Sequence, residues 1–105
     1  MISYKLEKLL LYNNFFKISL LLNNKHKASI KFNLAKNNII NIFNISSYSS
    51  KSKYINNLLK ETEIIAKKKF KIEKVQIYDK LNEITVNILK ENNYILNNNI
   101  MTKFL

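Results

Sequence analysis

The most regular pattern of apolar positions in the chain lies between about Lys53 and Lys69. Apolar or small side chains recur there every three or four residues, as they do on one face of a helix: Ile55, Leu58, Leu59, Thr62, Ile65 and Ala66. Lys67, Lys68 and Lys69 fall in the last predicted turn, where positive charge complements the negative end of the helix dipole. The pattern predicts an amphipathic helix in the middle of the chain.

Two short stretches after this helix alternate apolar and polar side chains. Val75 and Ile77 belong to the first, and Ile84, Val86 and Ile88 belong to the second. The polar segment 79–82 between them can turn the chain, because Asp and Asn side chains hydrogen-bond to the nearby backbone. Alternation is typical of strands with one buried face, so the region predicts a β-hairpin.

The N-terminal part of the chain predicts another hairpin. Its two runs, Phe15–Leu22 and Ala28–Leu34, flank the basic polar loop 23–27. Residues 3–12, ahead of the hairpin, are compatible with a short helix. Segment 37–45, which follows it, fits either a helix or a strand.

These elements predict a small single domain of the α+β class, with a central amphipathic helix followed by a β-hairpin, and a second N-terminal hairpin. The predicted organisation has four parts: an N-terminal basic hairpin region over 1–45, a serine-rich polar linker over 46–53, a helix–strand–strand module over 54–90 and an Asn-rich tail over 91–105. The tail is compatible with a last helix or with an extended arm.

The amino-acid composition removes several kinds of chemistry. The 105 residues include no Gly, Pro, Cys or Trp, and all 18 basic residues are Lys. Thiolate nucleophiles, zinc–thiolate sites and glycine-rich phosphate loops are therefore excluded. The single histidine, His26, lies between two lysines with no acid near it in sequence. We therefore predict no catalytic residue, no metal site and no cofactor, and expect the protein not to be an enzyme.

The distribution of charge predicts an anionic partner. The net charge is +11, and nine Lys but no acid lie between Glu7 and Glu61. Lysines that neutralise phosphates release counterions, and an aromatic ring among them can stack on an unpaired base. Without Arg the chain has no bidentate fork to bind a guanine edge, so base-specific recognition is not expected. We predict an RNA-binding set that consists of Lys25, Lys27, Lys31, Lys51, Lys53, Lys67, Lys68, Lys69, Lys71, Lys74 and Tyr48.

The abundance of Asn, Ile and Lys indicates a genome rich in adenine and thymine, such as that of an organelle. Codon drift in such a genome is an alternative explanation for part of the charge. The most apolar stretch, Leu9–Leu22, is interrupted by polar residues and is shorter than the roughly 20 residues that a membrane helix needs. No transmembrane or targeting segment is expected. The hypothesis for localisation is the mitochondrial matrix, with the gene encoded in that organelle.

Segments Tyr54–Tyr78 and Asn82–Ile88 resemble the opening of a ribosomal KH module. In the KH-domain protein of the small ribosomal subunit, a similar helix leads into the pattern I-x-x-I-x-I and then into an alternating strand. The resemblance implies a structural constituent of an organellar (mitochondrial) ribosome, whose partners are ribosomal RNA and neighbouring ribosomal proteins. The alternative is a small accessory subunit of an organellar respiratory-chain or ATP synthase complex. Neither hypothesis includes a small-molecule substrate.

Overall fold

The computed structural model describes residues 1–9, 14–48, 52–78 and 80–105. Within these residues the chain forms seven strands and two helices, which alternate in the second half of the sequence. In chain order they are β1 (Ile2–Lys8), β2 (Phe15–Leu22), β3 (Lys25–Ala35), β4 (Ile39–Ser47), α1 (Ser52–Phe70), β5 (Lys74–Ile77), α2 (Glu83–Glu91), β6 (Ile95–Asn97) and β7 (Ile100–Phe104).

All seven strands belong to one mixed sheet with the order β1-β2-β3-β4-β5-β7-β6. Neighbouring strands are antiparallel, except that β4 and β5 are parallel and are connected through α1. Helix α1 packs on β2, β3 and β4, and α2 lies against α1. The core lies between α1 and the sheet, and its most buried side chains include Ile30, Phe32, Ile42, Leu58 and Leu59.

Asparagine takes the place of glycine in the tight turns of this sheet. Positive φ, between 51° and 68°, occurs at both residues of the two-residue turns Asn23–Asn24 and Asn98–Asn99, and at Asn37 and Asn38 in the three-residue turn 36–38. Hairpin turns of type I′ need this geometry, and Asn adopts it at lower cost than other residues that carry a Cβ. The first turn contains only two residues and β3 begins at Lys25, so the predicted five-residue loop 23–27 is too long.

Both helices also end on a left-handed residue. Asn93 follows α2 with φ 71°, and the N–H groups of Asn93 and Tyr94 donate to the carbonyls of Lys90 and Leu89 at 3.1 and 3.0 Å. This is the hydrogen-bond pattern of a Schellman motif. Helix α1 is also followed by a residue with positive φ (57°), Lys71, but there the Ile72 N–H donates to the Ala66 carbonyl at 3.0 Å. A lysine in this conformation strains the backbone, because its Cβ approaches the following carbonyl oxygen.

We expect Lys71→Gly to stabilise the fold by about 0.5–1 kcal/mol, because glycine adopts positive φ without that steric cost. Thermal unfolding followed by circular dichroism measures the change. Lys69→Gly is the matched control, since Lys69 lies inside α1 and glycine there is expected to destabilise the helix by about 0.5–1 kcal/mol. Shifts of the same sign in both variants would contradict the prediction.

The predicted second hairpin is wrong because its second strand is helix α2. The buried side chains of this segment are Thr85, Ile88 and Leu89, which are spaced by three and one as on a helical face, whereas Ile84 is 63% exposed. The side-chain oxygen of Asn82 accepts a hydrogen bond from the Thr85 N–H at 2.8 Å and caps the helix. Alternating β-branched residues suggested a strand, but the cap and the burial of Leu89 favour the helix.

The remaining elements also differ from the expected α+β arrangement. The segment predicted as a helix over 3–12 forms strand β1 as far as Lys8, and residues 10–12 lie outside the described part. Segment 37–45 lies mostly in β4, and the Asn-rich tail contributes β6 and β7. The predicted fold class is therefore wrong: instead of two separate hairpins around a helix, one seven-stranded sheet runs through the chain.

A polar network attaches the last hairpin to α1. The Tyr94 hydroxyl donates to Glu63 Oε2 at 2.9 Å, and Lys103 Nζ donates to Glu63 Oε1 at 2.7 Å. Burial raises the pKa of the Tyr94 phenol far above its ordinary value, and the negative charge of Glu63 and its hydrogen bond add to this effect. Tyr94 therefore stays neutral and keeps its proton, which it shares with the carboxylate in a hydrogen bond. Glu63 thus links helix α1 to Tyr94 and to Lys103 of β7.

Candidate functional site

The parallel pairing of β4 and β5 stops part-way along β4. Their pairing extends from Ile39–Lys74 to Ile42–Ile77, and the Tyr78 N–H then donates to the Ile42 carbonyl at 2.9 Å. β5 ends at Ile77, whereas β4 continues to Ser47. The last five residues of β4 thus extend beyond β5. We call the gap that they leave beside residues 43–47 the β4–β5 notch.

Helix α1 begins just after the C-terminal end of β4, at the same end of the sheet as the notch. In open sheets, ligands bind beyond the carboxyl ends of parallel strands, and β4 and β5 are the parallel pair here. The N-terminus of a helix carries a partial positive charge and free N–H groups, which favour an anion. The first turn of α1 contains no acidic residue. By contrast, α2 has Glu83 in its first turn and its N-terminus is capped by Asn82, so α1 is the better anion site.

Lysines lie at the same end of the sheet as the notch. The carbonyl of Lys27 accepts a hydrogen bond from the Tyr48 N–H at 2.8 Å, which places the start of β3 beside the end of β4. Lys25 precedes it on the same strand, and Lys53 lies in the first turn of α1 with its Nζ 5.4 Å from the ring centre of Tyr54. The end of the sheet at which the notch lies is therefore positively charged.

Two tyrosines supply hydroxyl groups at the same edge. Tyr78 stands at the point where the strands separate, is 52% exposed, and donates its hydroxyl hydrogen to Gln76 Oε1 at 2.9 Å. Tyr48, at the end of β4, is also exposed. Among residues 1–9, 14–48, 52–78 and 80–105, no group of three His, Cys, Asp or Glu side chains is arranged to hold a metal ion. The chemistry available at the notch is anion binding and proton transfer by phenols.

The structure divides the eleven residues of the predicted RNA-binding set. Lys25, Lys27, Lys53 and Tyr48 belong to the end of the sheet at which β4 ends and α1 begins, with Lys25 and Lys27 on β3, on the side of β4 opposite to β5. Lys31 is in the middle of β3, between the buried Ile30 and Phe32, so its side chain extends from the opposite face of the sheet. Lys51 lies outside the described residues.

The other predicted lysines lie at the far end of the fold. Lys67, Lys68, Lys69 and Lys71 are at the C-terminal end of α1, and Lys74 begins β5 with its Nζ 5.3 Å from the ring centre of Phe104. A helix rises 1.5 Å per residue, so this end of α1 is about 21 Å from Lys53. The predicted residues therefore form two separate positive regions and not one continuous surface.

Sequence reasoning missed Tyr78 and the notch itself. Tyr78 directly follows the alternating Val75 and Ile77, and nothing in its own neighbourhood distinguishes it from a surface residue. The available signal was the order strand, helix, strand over 39–77, because a helix of this length between two strands favours parallel pairing. The mistaken hairpin after α1 concealed that order.

The same architecture occurs in solved acetyltransferase structures. PaiA N-acetyltransferase from Thermoplasma acidophilum, in complex with coenzyme A, matches with a TM-score of 0.74 and 19% identity over 88% of this chain and 62% of its own. A GNAT-family acetyltransferase from Streptococcus pneumoniae matches with a TM-score of 0.72 and 15% identity, over 88% and 68%. This chain has the fold of the GNAT acetyltransferases.

The fold also occurs as one part of a longer protein. Archaeal Elp3 from Methanocaldococcus infernus matches 99% of this chain with a TM-score of 0.76 and 17% identity, but the match covers only 30% of Elp3. The chain spans 62% of the length of the PaiA acetyltransferase. Scans against protein-family models and against curated protein sequences find no match.

These findings correct the functional hypotheses drawn from the sequence. The resemblance to the ribosomal KH-domain protein is wrong, because the structural neighbours are GNAT acetyltransferases and the strand on which it depended is helix α2. The ribosomal role with its RNA and protein partners is wrong, and so is the alternative of a respiratory or ATP synthase subunit. The expectation of a non-enzymatic protein without a small-molecule substrate is overturned by the same neighbours, one of which holds coenzyme A.

In the part of the chain that the structure describes, no helix is both long enough and apolar enough to cross a membrane. Both helices instead carry buried faces that belong to the domain.

Proposed function

We propose that this protein is an N-acetyltransferase that binds acetyl-coenzyme A at the β4–β5 notch and transfers the acetyl group to an amine. The observation that carries the proposal is the end of the parallel β4–β5 pairing at the same end of the sheet at which α1 begins. It is supported by the fold shared with N-acetyltransferases, one of them bound to coenzyme A.

The residues around the notch fit the anionic part of coenzyme A. Its phosphate groups need positive charge and N–H donors, which Lys27, Lys53 and the start of α1 supply at one edge of the sheet. The first turn of α1 brings no carboxylate that would repel the phosphates. Lysine serves here as a point charge, which recognises phosphate without the fork geometry of arginine.

Acetyl transfer to an amine requires positioning and movement of protons. Acetyl-coenzyme A supplies an acetyl group activated as a thioester. When the amine nitrogen bonds to the carbonyl carbon, the carbon–sulfur bond breaks, the sulfur needs a proton and the nitrogen must lose one. Tyr78 follows the last paired residue of β5, is half exposed and hydrogen-bonds to Gln76, and it is our candidate for the group that donates the proton to sulfur once that hydrogen bond opens. Solvent at the open edge accepts the proton that the amine releases.

Reversal of two lysine charges at the notch tests the binding step. We expect Lys27→Glu with Lys53→Glu to weaken acetyl-coenzyme A binding at least about tenfold, because attraction to the phosphates becomes repulsion. Isothermal titration calorimetry at low salt measures the affinity. The control is Lys36→Glu with Lys90→Glu, which makes the same change in net charge at exposed lysines elsewhere. Equal affinity in both double variants, or no binding by the wild type, would contradict the proposed function.

Removal of one phenol oxygen tests the catalytic role of Tyr78. We expect Tyr78→Phe to lower kcat at least about tenfold, with KM for acetyl-coenzyme A nearly unchanged, because proton transfer is lost while the binding groups remain. The assay measures free thiol released in the presence of a panel of polyamines and peptide amines. Tyr4→Phe, on the edge strand β1, is the control and should retain full activity. An unchanged kcat in Tyr78→Phe would remove Tyr78 from the mechanism.

A further inference from the structure

We propose a second functional surface, a groove between α1 and the end of β7 that docks an acidic amphipathic helix of a partner protein. This α1–β7 groove has a volume of about 530 Å³, and the residues that carry the argument are Lys60, Ile64, Lys67, Lys68, Lys103 and Phe104. It belongs to the C-terminal half of α1, whereas the notch is at the start of that helix. The two sites are thus separate, and the inference does not depend on acetyl transfer.

The groove exposes apolar side chains that a folded domain normally buries or scatters. Ile64 is 47% exposed and Phe104 is 74% exposed, and both line the groove. A neighbouring depression of about 300 Å³ shares Lys103 and Phe104 and adds the exposed Ile95. A continuous apolar surface bordered by charged residues is a mark of an interaction site.

The charge of the groove indicates an acidic occupant. Lys60, Lys67 and Lys68 have neither an ion-pair partner nor an aromatic ring under their ammonium groups within the described ranges. Glu63 is the acidic side chain that lines the groove, and it is already bound by Lys103 and by the Tyr94 hydroxyl. Three positive charges therefore remain available, and carboxylates on a partner would complement them.

The spacing of these side chains suits a helix. Lys60 and Lys67 are seven residues apart on α1, which is about 10 Å along its axis, and Ile64 lies between them on the same side. On a partner helix that lies along α1, residues seven positions apart lie on the same face and are also about 10 Å apart. Carboxylates seven residues apart can then meet the lysines, while apolar residues between them contact Ile64 and Phe104.

The same arrangement is less suited to a lipid surface. A bilayer would need the apolar side chains to extend beyond the charged ones, so that they enter the hydrocarbon while lysines remain at the headgroups. On α1 the order is reversed, because each lysine stem is longer than Ile64, which lies between Lys60 and Lys68. A partner helix can place its own apolar side chains between the lysines and contact Ile64.

A designed peptide tests the proposal on the full chain. The probe is a fluorescein-labelled 15-residue helical peptide in which leucines form one face and glutamates flank it, and fluorescence anisotropy measures its binding. We expect Lys60→Glu with Lys67→Glu and Lys68→Glu to weaken binding at least about tenfold, and Phe104→Ser to weaken it about threefold or more. The control Lys8→Glu with Lys36→Glu and Lys90→Glu changes net charge equally and should bind within about twofold of the wild type.

Further measurements distinguish specific docking in the groove from non-specific charge attraction and from membrane binding. A scrambled peptide of the same composition has no apolar face and should bind at least about fivefold more weakly than the amphipathic one. Equal binding of both peptides, or equal weakening by the two triple variants, would overturn the proposal in favour of non-specific attraction. Binding to vesicles of anionic phospholipid without binding to the peptide would overturn it in favour of a membrane surface. Acetyl-coenzyme A affinity of the groove variants, expected to be unchanged, is measured separately.

Discussion

Leu58→Asp is expected to abolish folding of the protein at room temperature. Leu58 is completely buried, in the face of α1 that packs on the sheet, and no lysine is among the buried residues around it. An unpaired carboxylate in such a position costs several kcal/mol, which is comparable to the total stability of about 5–15 kcal/mol of a small domain. Far-ultraviolet circular dichroism and urea titration of the purified variant measure the loss.

Ile64→Asp is the matched control for this prediction. It introduces the same charge into the same helix, but Ile64 is 47% exposed and its replacement is expected to cost no more than about 1 kcal/mol. The pair of variants therefore tests which side of α1 faces the sheet. Near-wild-type unfolding of Leu58→Asp, or unfolding of Ile64→Asp, would show that the helix packs in another orientation.

Glu63→Ala is expected to destabilise the protein by about 3 kcal/mol. The carboxylate accepts hydrogen bonds from Tyr94 and Lys103, and only 14% of its side chain and 20% of that of Lys103 are exposed. Its removal leaves a phenol and an ammonium group without their acceptor in a largely buried position, and breaking such a pair costs about 3–5 kcal/mol. Urea denaturation at neutral pH measures the change in the free energy of unfolding.

A second pair of measurements assigns that loss to the network. Glu61→Ala removes an acid of the same helix that has no hydrogen-bond or ion-pair partner in the described residues, and it should cost less than about 1 kcal/mol. Tyr94→Phe should be costly in the wild type but nearly neutral once Glu63 is alanine, because the shared hydrogen bond is already gone. Additive effects of the two substitutions would show that Glu63 and Tyr94 act independently.

Local periodicity predicted an element correctly where its apolar positions are also its buried positions. Helix α1 begins and ends within one residue of the predicted segment 53–69, because its apolar positions repeat with the helical period and it packs on one face. Helix α2 was missed for the opposite reason, since Ile84, Val86 and Ile88 alternate although Ile84 is exposed. The asparagine before it, Asn82, was a helix-start signal that the alternation outweighed.

Long-range pairing could not be predicted from these patterns. Strands β4 and β5 are about thirty residues apart in sequence, and their parallel contact depends on how α1 packs across the sheet. The notch exists only because β4 is longer than its parallel neighbour, a difference that appears once both strands are in register. The candidate site is therefore a property of the assembled sheet more than of any segment.

The lysine distribution predicted an anion but not which anion. Lys27 and Lys53 were selected because the first half of the chain lacks acids, and the structure places both beside the notch. The positive charge alone could not distinguish a nucleic acid from the phosphates of a small molecule, since both attract ammonium groups through the same electrostatics. The proposal of a small-molecule phosphate ligand rests on the fold, which the sequence did not predict.

The turns with positive φ give a conformational reason for part of the asparagine content of the chain. Within the described residues, seven asparagines occupy positions where most side chains would strain the backbone, and the chain has no glycine to place there. Asparagine adopts positive φ at lower cost than other residues that carry a Cβ. Part of the asparagine content therefore has a conformational reason, separate from any codon bias.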